Sequence, residues 1–167
     1  MADIVDLIIA DHEWVRRQFF YLDGAKTNAE LEAVWEPLAT RLDIHADAEE
    51  TVFYPALLKK GKAGDPEDET EDAIDDHNKI RDAVAETRKH RVGTKVWFDA
   101  VGEARTENGE HLDEEEREAI PDFIKSATLE LRHELAMQWL AFYRDHPNGK
   151  GIDKSDKDAE EYIAENS

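Results

Sequence analysis

Four long helical segments of this chain each carry an apolar stripe, and each stripe is interrupted at one level by histidine. Over residues 28–59 the inward series runs Leu31, Val34, Leu38, Leu42, His45, Glu49, Val52, Ala56, in steps of three and four, the stride of one buried helix face. The first segment repeats the pattern with Ile4, Ile8, His12, Val15, Phe19 and Leu22, and the third with Ala73, His77, Ile80 and Val84. The fourth, Trp97, Val101, Ala104, Asn108, His111, Glu115, is less apolar but keeps the stride. A carboxylate in such a seam is costly to desolvate unless a cation or hydrogen-bond partner meets it. Two of them, Glu49 and Glu115, ask for a shared cation.

The segments predicted as helical are 3–23, 28–59, 69–91, 93–119 and 122–145. They are punctuated by Gly24, by Gly61, Gly64 and Pro66, by Gly93, by Pro121, and by Pro147 with Gly149 and Gly151. Thr27 and Thr94 are suited to N-cap their segments. Short connections make successive helices antiparallel, so the expected fold is all-α: an up-and-down four-helix bundle with an additional C-terminal helix. At about 1.5 Å per residue, His12, Glu49, His77 and Glu115 then lie within a turn or two of ~12 Å from the same end of the bundle. Four separate helices deliver polar groups to one level.

Length and composition agree with this reading. The 167 residues suit one domain with a proper core. Residues 1–146 are expected to form it, and residues 147–167 a polar, acidic tail, mobile and with at most a short helical turn near Tyr162. A net charge of −20 argues against nucleic acid and anionic membrane surfaces as partners. No apolar stretch approaches the roughly 20 residues of a membrane span. The charged start, with Asp3 and Asp6, is unlike a signal peptide, which makes the cytoplasm the expected location. The chain has no cysteine, so thiolate zinc sites, iron–sulfur clusters and disulfides are excluded, leaving nitrogen and oxygen ligands.

One core histidine is commonly a structural residue, and one His-x-x-x-Glu pair is common in acidic helices. On a helix, however, side chains at i and i+4 share a face, so His45 with Glu49 and His111 with Glu115 can each offer a nitrogen and a carboxylate to one point. With His12 and His77 added, four imidazoles and two carboxylates exceed what one tetrahedral zinc uses, which implies two metals. Imidazole with carboxylate suits iron, manganese or zinc, and iron is the first choice. The doubled glutamates, Glu49-Glu50 and Glu115-Glu116, leave a one-residue ambiguity of register. His133 reads as a histidine at the margin of a packing face and His90 and His146 as helix-end residues, while Trp14, Trp35, Trp97 and Trp139 supply apolar bulk around the metals.

The chain resembles the hemerythrin-like HHE cation-binding domains. The resemblance rests on Asp11-His12-Glu13, on the run from His45 through Glu49-Glu50 to Tyr54-Pro55, on Asp76-His77-Asn78, and on the run from His111 through Glu115-Glu116 to Pro121. It spans about residues 3 to 145. It implies a four-helix bundle holding two iron ions, bridged by an oxo or hydroxo oxygen and by Glu49 and Glu115.

A departure from that family pattern bears on function. Oxygen carriers of the family have a fifth histidine on the third helix, four residues from its partner, whereas here Ala73 and Arg81 flank His77 at that spacing. Tyr54, about a turn after Glu49-Glu50 and before the helix-bending Pro55, is the candidate to replace it and the candidate catalytic residue; the other reading is a tyrosine at the bundle edge with its hydroxyl in water. Glu50 and Glu116 read as partners of the ligands or as surface groups. The expected activity is that of an oxidoreductase acting on hydrogen peroxide, catalase-like, with nitric oxide as a further reactant. The competing readings are a protein that binds or senses O2, NO or iron without turnover, and a structural zinc bundle.

Overall fold

The computed structural model describes residues 1–167 and is all-helical. In chain order the helices are α1 (Ile4–Gly24), α2 (Asn28–Ala48), α3 (Tyr54–Lys60), α4 (Pro66–Thr87), α5 (Lys95–Arg117), α6 (Ala119–Ser126), α7 (Leu129–Asp145) and α8 (Ala159–Asn166). Helices α1, α2, α4 and α5 make the bundle, with α4 and α5 the most extensively packed pair and α7 lying against α1 and α2.

Local chemistry starts these helices where it should. The Thr27 hydroxyl accepts from the Glu30 N–H while the Glu30 carboxylate accepts from the Thr27 N–H, and Thr94 accepts from the Trp97 N–H. Asp65 caps α4 with Pro66 at its first position, so this helix begins ahead of the expected residue 69. Gly93, at φ 81°, turns the chain between α4 and α5 where a Cβ would collide with the Asn28 side chain.

The stripes of α1, α4 and α5 are buried at every predicted position; in the second stripe, Val34 of α2 and Ala56 of α3 are only partly covered, and Trp35 is buried beside Val34. The core falls into two apolar blocks. One gathers Ile4, Ile8, Phe53, Leu57, Ile74, Phe123 and Trp139; the other gathers Phe19, Leu31, Trp35, Leu38, Val84, Trp97 and Val101. The histidine layer lies between them, walled by hydrocarbon above and below.

Four expectations need correction. The segment 28–59 is not one α-helix: Glu49–Phe53 is a π turn, closed by the Tyr54 N–H on the Glu49 carbonyl, immediately ahead of Pro55, which has no N–H to continue the α ladder. The segment 122–145 is two helices, α6 and α7, because Thr128 caps a new start by accepting from the Leu131 N–H. The break before α6 falls at Glu118 rather than Pro121, which sits in a first turn where its missing N–H costs nothing. Finally, residues 147–167 pack along the bundle rather than trailing from it, with α8 against α3 and α4 and Tyr162 buried.

Candidate metal centre

All six residues singled out by the spacing converge at one level and are buried. On one side, Glu49 Oε1 lies 2.8 Å from His45 Nε2 and 3.9 Å from His12 Nε2, and Glu115 Oε2 lies 3.1 Å from His12 Nε2. On the other, Glu49 Oε2 lies 3.1 Å from His77 Nε2 and 3.5 Å from His111 Nε2, and these two nitrogens face each other at 3.1 Å. Two sets of atoms could therefore each hold an ion: His12, His45, Glu49 and Glu115 in one, Glu49, His77 and His111 in the other. Glu49 belongs to both, while Glu50 turns to His77 Nδ1. Glu115 belongs to one set only. Nε2 of His12 and of His45, Oε1 of Glu49 and Oε2 of Glu115 are all buried without an aligned hydrogen bond. Orphaned polar atoms aimed at one another in a dry interior fit a cation better than they fit each other.

Each imidazole turns its other nitrogen outward to a carboxylate of a neighbouring helix. His12 Nδ1–H donates to Glu116 at 2.8 Å, His45 Nδ1–H to Asp11 at 3.3 Å, and His77 Nδ1–H to Glu50 at 2.8 Å, while His111 Nδ1 faces Asp76 at 4.0 Å. The pairs close a ring: α1 serves the histidine of α2, the π turn serves α4, α4 faces α5, and α5 serves α1. Such carboxylates fix the tautomer and raise ligand basicity at metal-binding histidines. They are themselves held, Asp11 by Arg41 and by the Tyr143 hydroxyl at 2.6 Å, Glu116 by Arg16, and Glu50 by Arg81 at 2.6 Å. The roles of Asp11, Asp76 and Tyr143 escaped the reading of the sequence. The available signal was the Asp-His doublet at Asp11-His12 and Asp76-His77, inside two of the stripes, and the His-x-x-x-Glu-Glu run, present twice in the chain.

Tyr54 is not at a wet edge. It is 1% exposed, and its hydroxyl donates to Glu115 Oε1 at 2.8 Å. Burial, reinforced by the Glu115 and Glu49 charges, pushes its pKa well above the usual phenol value, so in the metal-free protein it is a neutral donor. Trp139 packs edge-on to His45 with ring centroids 5.6 Å apart, bringing α7 to the site. His133 bonds the Ala2 carbonyl, His90 pairs with Glu86, and His146 with the Lys150 carbonyl, all away from the centre.

Burial opposes charge on the imidazoles, but the carboxylates outweigh it. His45 is raised to about 9, where desolvation is overcome by the Glu49 charge and by bonds to Asp11 and Glu49. His12 is raised well above its ordinary value against desolvation by Glu115, Glu116 and Glu49, and His77 is raised by Glu49 and Glu50. In return, Glu49 is held well below the carboxylate range, desolvation notwithstanding, by His45 and its neighbours. Glu50 is lowered to about 2, burial being outweighed by His77, Arg81 and Lys157. The same carboxylates that would face a cation thus favour protonated imidazoles at His12, His45 and His77.

A narrow cleft of about 20 Å³, room for one or two water-sized molecules, reaches this layer beside Tyr54, His111 and Glu115. Its outer walls are carboxylates, including Glu69, Asp72, Glu114 and Glu118.

A helical bundle whose core is split by converging imidazoles and carboxylates, without sulfur, defines a metal-binding protein of the non-haem, histidine–carboxylate class. The model of the hemerythrin HHE cation binding domain matches residues 3–123, and the chain belongs to that family. Comparison with curated proteins and with solved structures yields no match. No helix is long and apolar enough to cross a membrane.

Proposed function

We propose that the chain is a non-haem di-iron protein that reacts with small neutral oxidants, foremost hydrogen peroxide, disproportionated in the catalase sense to water and dioxygen, with nitric oxide a further reactant. The carrying observation is the pairing of two buried ligand sets through Glu49 with a cleft that admits only one or two water-sized molecules. The first set offers four protein residues and the second three, so the second leaves coordination positions for a small molecule on the side lined by His111. Iron bound there would supply electron transfer and Lewis acidity.

The chain's own groups divide the remaining work. Glu49 keeps the two positions adjacent. The outer carboxylates hold the imidazole tautomers. Tyr54, with its hydroxyl on Glu115, is placed to donate or take up a proton at the inner end of the cleft and is the candidate catalytic residue. The carboxylates along the cleft disfavour anions and pass neutral H2O2, NO and O2, which supports that substrate class. The strong negative charge argues against nucleic acid as a partner.

The test is an anaerobic iron titration followed by peroxide. Two irons per chain and oxygen evolution at half the rate of peroxide loss would bear the reading out. Reversible appearance of a visible band on exposure to air and its loss under vacuum, without peroxide turnover, would move the function to binding or sensing of O2. Retention of zinc in preference to iron would end the oxidoreductase reading.

A further inference from the structure

Residues 150–167 lie beyond the span matched by the family, and they run back along α2 and α4. Three acids of α2 and the π turn, Asp43, Asp47 and Glu50, are buried, and the C-terminal segment meets all three. Lys154 Nζ stands 3.5 Å from Asp43 Oδ2, the Asp153 N–H donates to Asp47 Oδ2 at 2.9 Å, and Lys157 Nζ lies 2.7 Å from Glu50 Oε2. The segment is fixed to α4 by a reciprocal pair: the Asn78 amide donates to the Lys157 carbonyl at 2.8 Å and accepts from the Lys157 N–H at 3.0 Å. Beyond it, the Tyr162 hydroxyl donates to the Glu50 carbonyl at 2.5 Å. A π turn disrupts the regular α ladder, and this hydroxyl supplies one of its carbonyls with a partner.

We propose that this C-terminal strap is a positioning element of the metal centre. Through Lys157 and Tyr162 it holds Glu50, and through Glu50 the ring of His77, so that the position built from Glu49, His77 and His111 depends on the strap. The inference rests on the two-metal reading above. Its physical basis is the division of labour on one carboxylate: Oε2 takes Arg81 and Lys157, leaving Oε1 to accept from His77 Nδ1–H. With Lys157 removed, only Arg81 restrains Oε2, the carboxylate can rotate, and the His77 ring loses its fixed partner. The other position is insulated. The carboxylates that serve His12 and His45 are held by Arg16, Arg41 and Tyr143, from α1, α2 and α7.

The experiment is anaerobic Fe²⁺ titration of the full-length, metal-free protein, resolving two binding steps and assigning the dependent one as the step that His77→Ala abolishes. In Lys157→Met that step weakens severalfold, less than the roughly 10- to 100-fold that follows loss of the carboxylate behind a metal-binding histidine, because Glu50 and Arg81 remain. The remaining step is unchanged, and Lys157→Arg restores the first. Tyr162→Phe, which removes one hydroxyl and keeps the packing, gives a smaller shift in the same step and carries the test if Lys157→Met does not fold. Equal weakening of both steps, or no change in either, overturns the proposal. A wild type that takes up a single iron refutes the two-metal reading instead, and the strap then stands or falls on whether that one ion is bound more weakly in Lys157→Met.

Discussion

Metal uptake by this protein should expel protons, and the number can be worked from the site. In the metal-free chain His45 is raised to about 9, so at pH 7 it is protonated, and His12, in the same Glu115-containing set, is raised well above its ordinary value. Glu49, held well below the carboxylate range, has no proton to give. Filling this position at pH 7 therefore releases close to one proton from His45, and His12, shifted the same way, adds to it. Each proton displaced makes the apparent affinity change tenfold per pH unit, about 1.4 kcal/mol, so affinity there should rise at least about tenfold per unit between pH 6.5 and 8. His77, raised above 6.5, adds more than half a proton when the other position fills at pH 6.5. Calorimetric Fe²⁺ titration in buffers of different ionisation enthalpy counts these protons directly, and His45→Ala should release one fewer. Release of less than one proton at pH 7 would mean that desolvation, not the neighbouring carboxylates, governs the empty site, and the electrostatic argument would fail.

Other expectations separate the roles of single residues. Glu49→Gln should impair both positions, whereas Glu115→Gln should impair only the one containing His12 and His45; iron counts per chain decide, and equal losses in the two variants would contradict the sharing of Glu49. Tyr54→Phe strips Glu115 of its hydroxyl donor and should cost about 1 to 3 kcal/mol of metal-free stability. It should also slow peroxide turnover with the iron content unchanged, and an unaltered rate would return Tyr54 to a packing role. Glu50, lowered to about 2, contributes stability that is present above about pH 4.5 and lost as pH falls through about 2. Glu50→Gln should thus melt lower at pH 7, by about 3 kcal/mol from a shift of that size, with the difference closing in strong acid; a gap independent of pH would show that the loss is one of packing.

How far the amino-acid sequence reaches is visible residue by residue. Every position of the stripe from Ile4 to Leu22 is buried in α1, with Val5 the one buried residue outside it, because helical phase is local and survives whatever the partner helix is. Thr27 and Thr94 are legible as caps for the same reason. The strap was not legible. Lys154, Lys157 and Tyr162 sit in a stretch with no stripe, and their value comes from acids about 110 residues earlier in the chain. Nor was the bundle-closing step after α5, where Asp122 accepts from the Lys62 and Ala63 N–H groups and ties α6 to the loop after α3.

The sequence by itself determined the four helices, their antiparallel order and the common height of His12, Glu49, His77 and Glu115, all consequences of a 3.6-residue period and short connections. Only the tertiary structure decided which glutamate of each doublet faces inward. The same holds for the carboxylate from one helix that steadies the imidazole of the next, and for Tyr54, which is dry and bonded to Glu115. Those choices turn on rotations of less than a helical turn and on contacts between distant segments, and a periodic pattern carries information about neither.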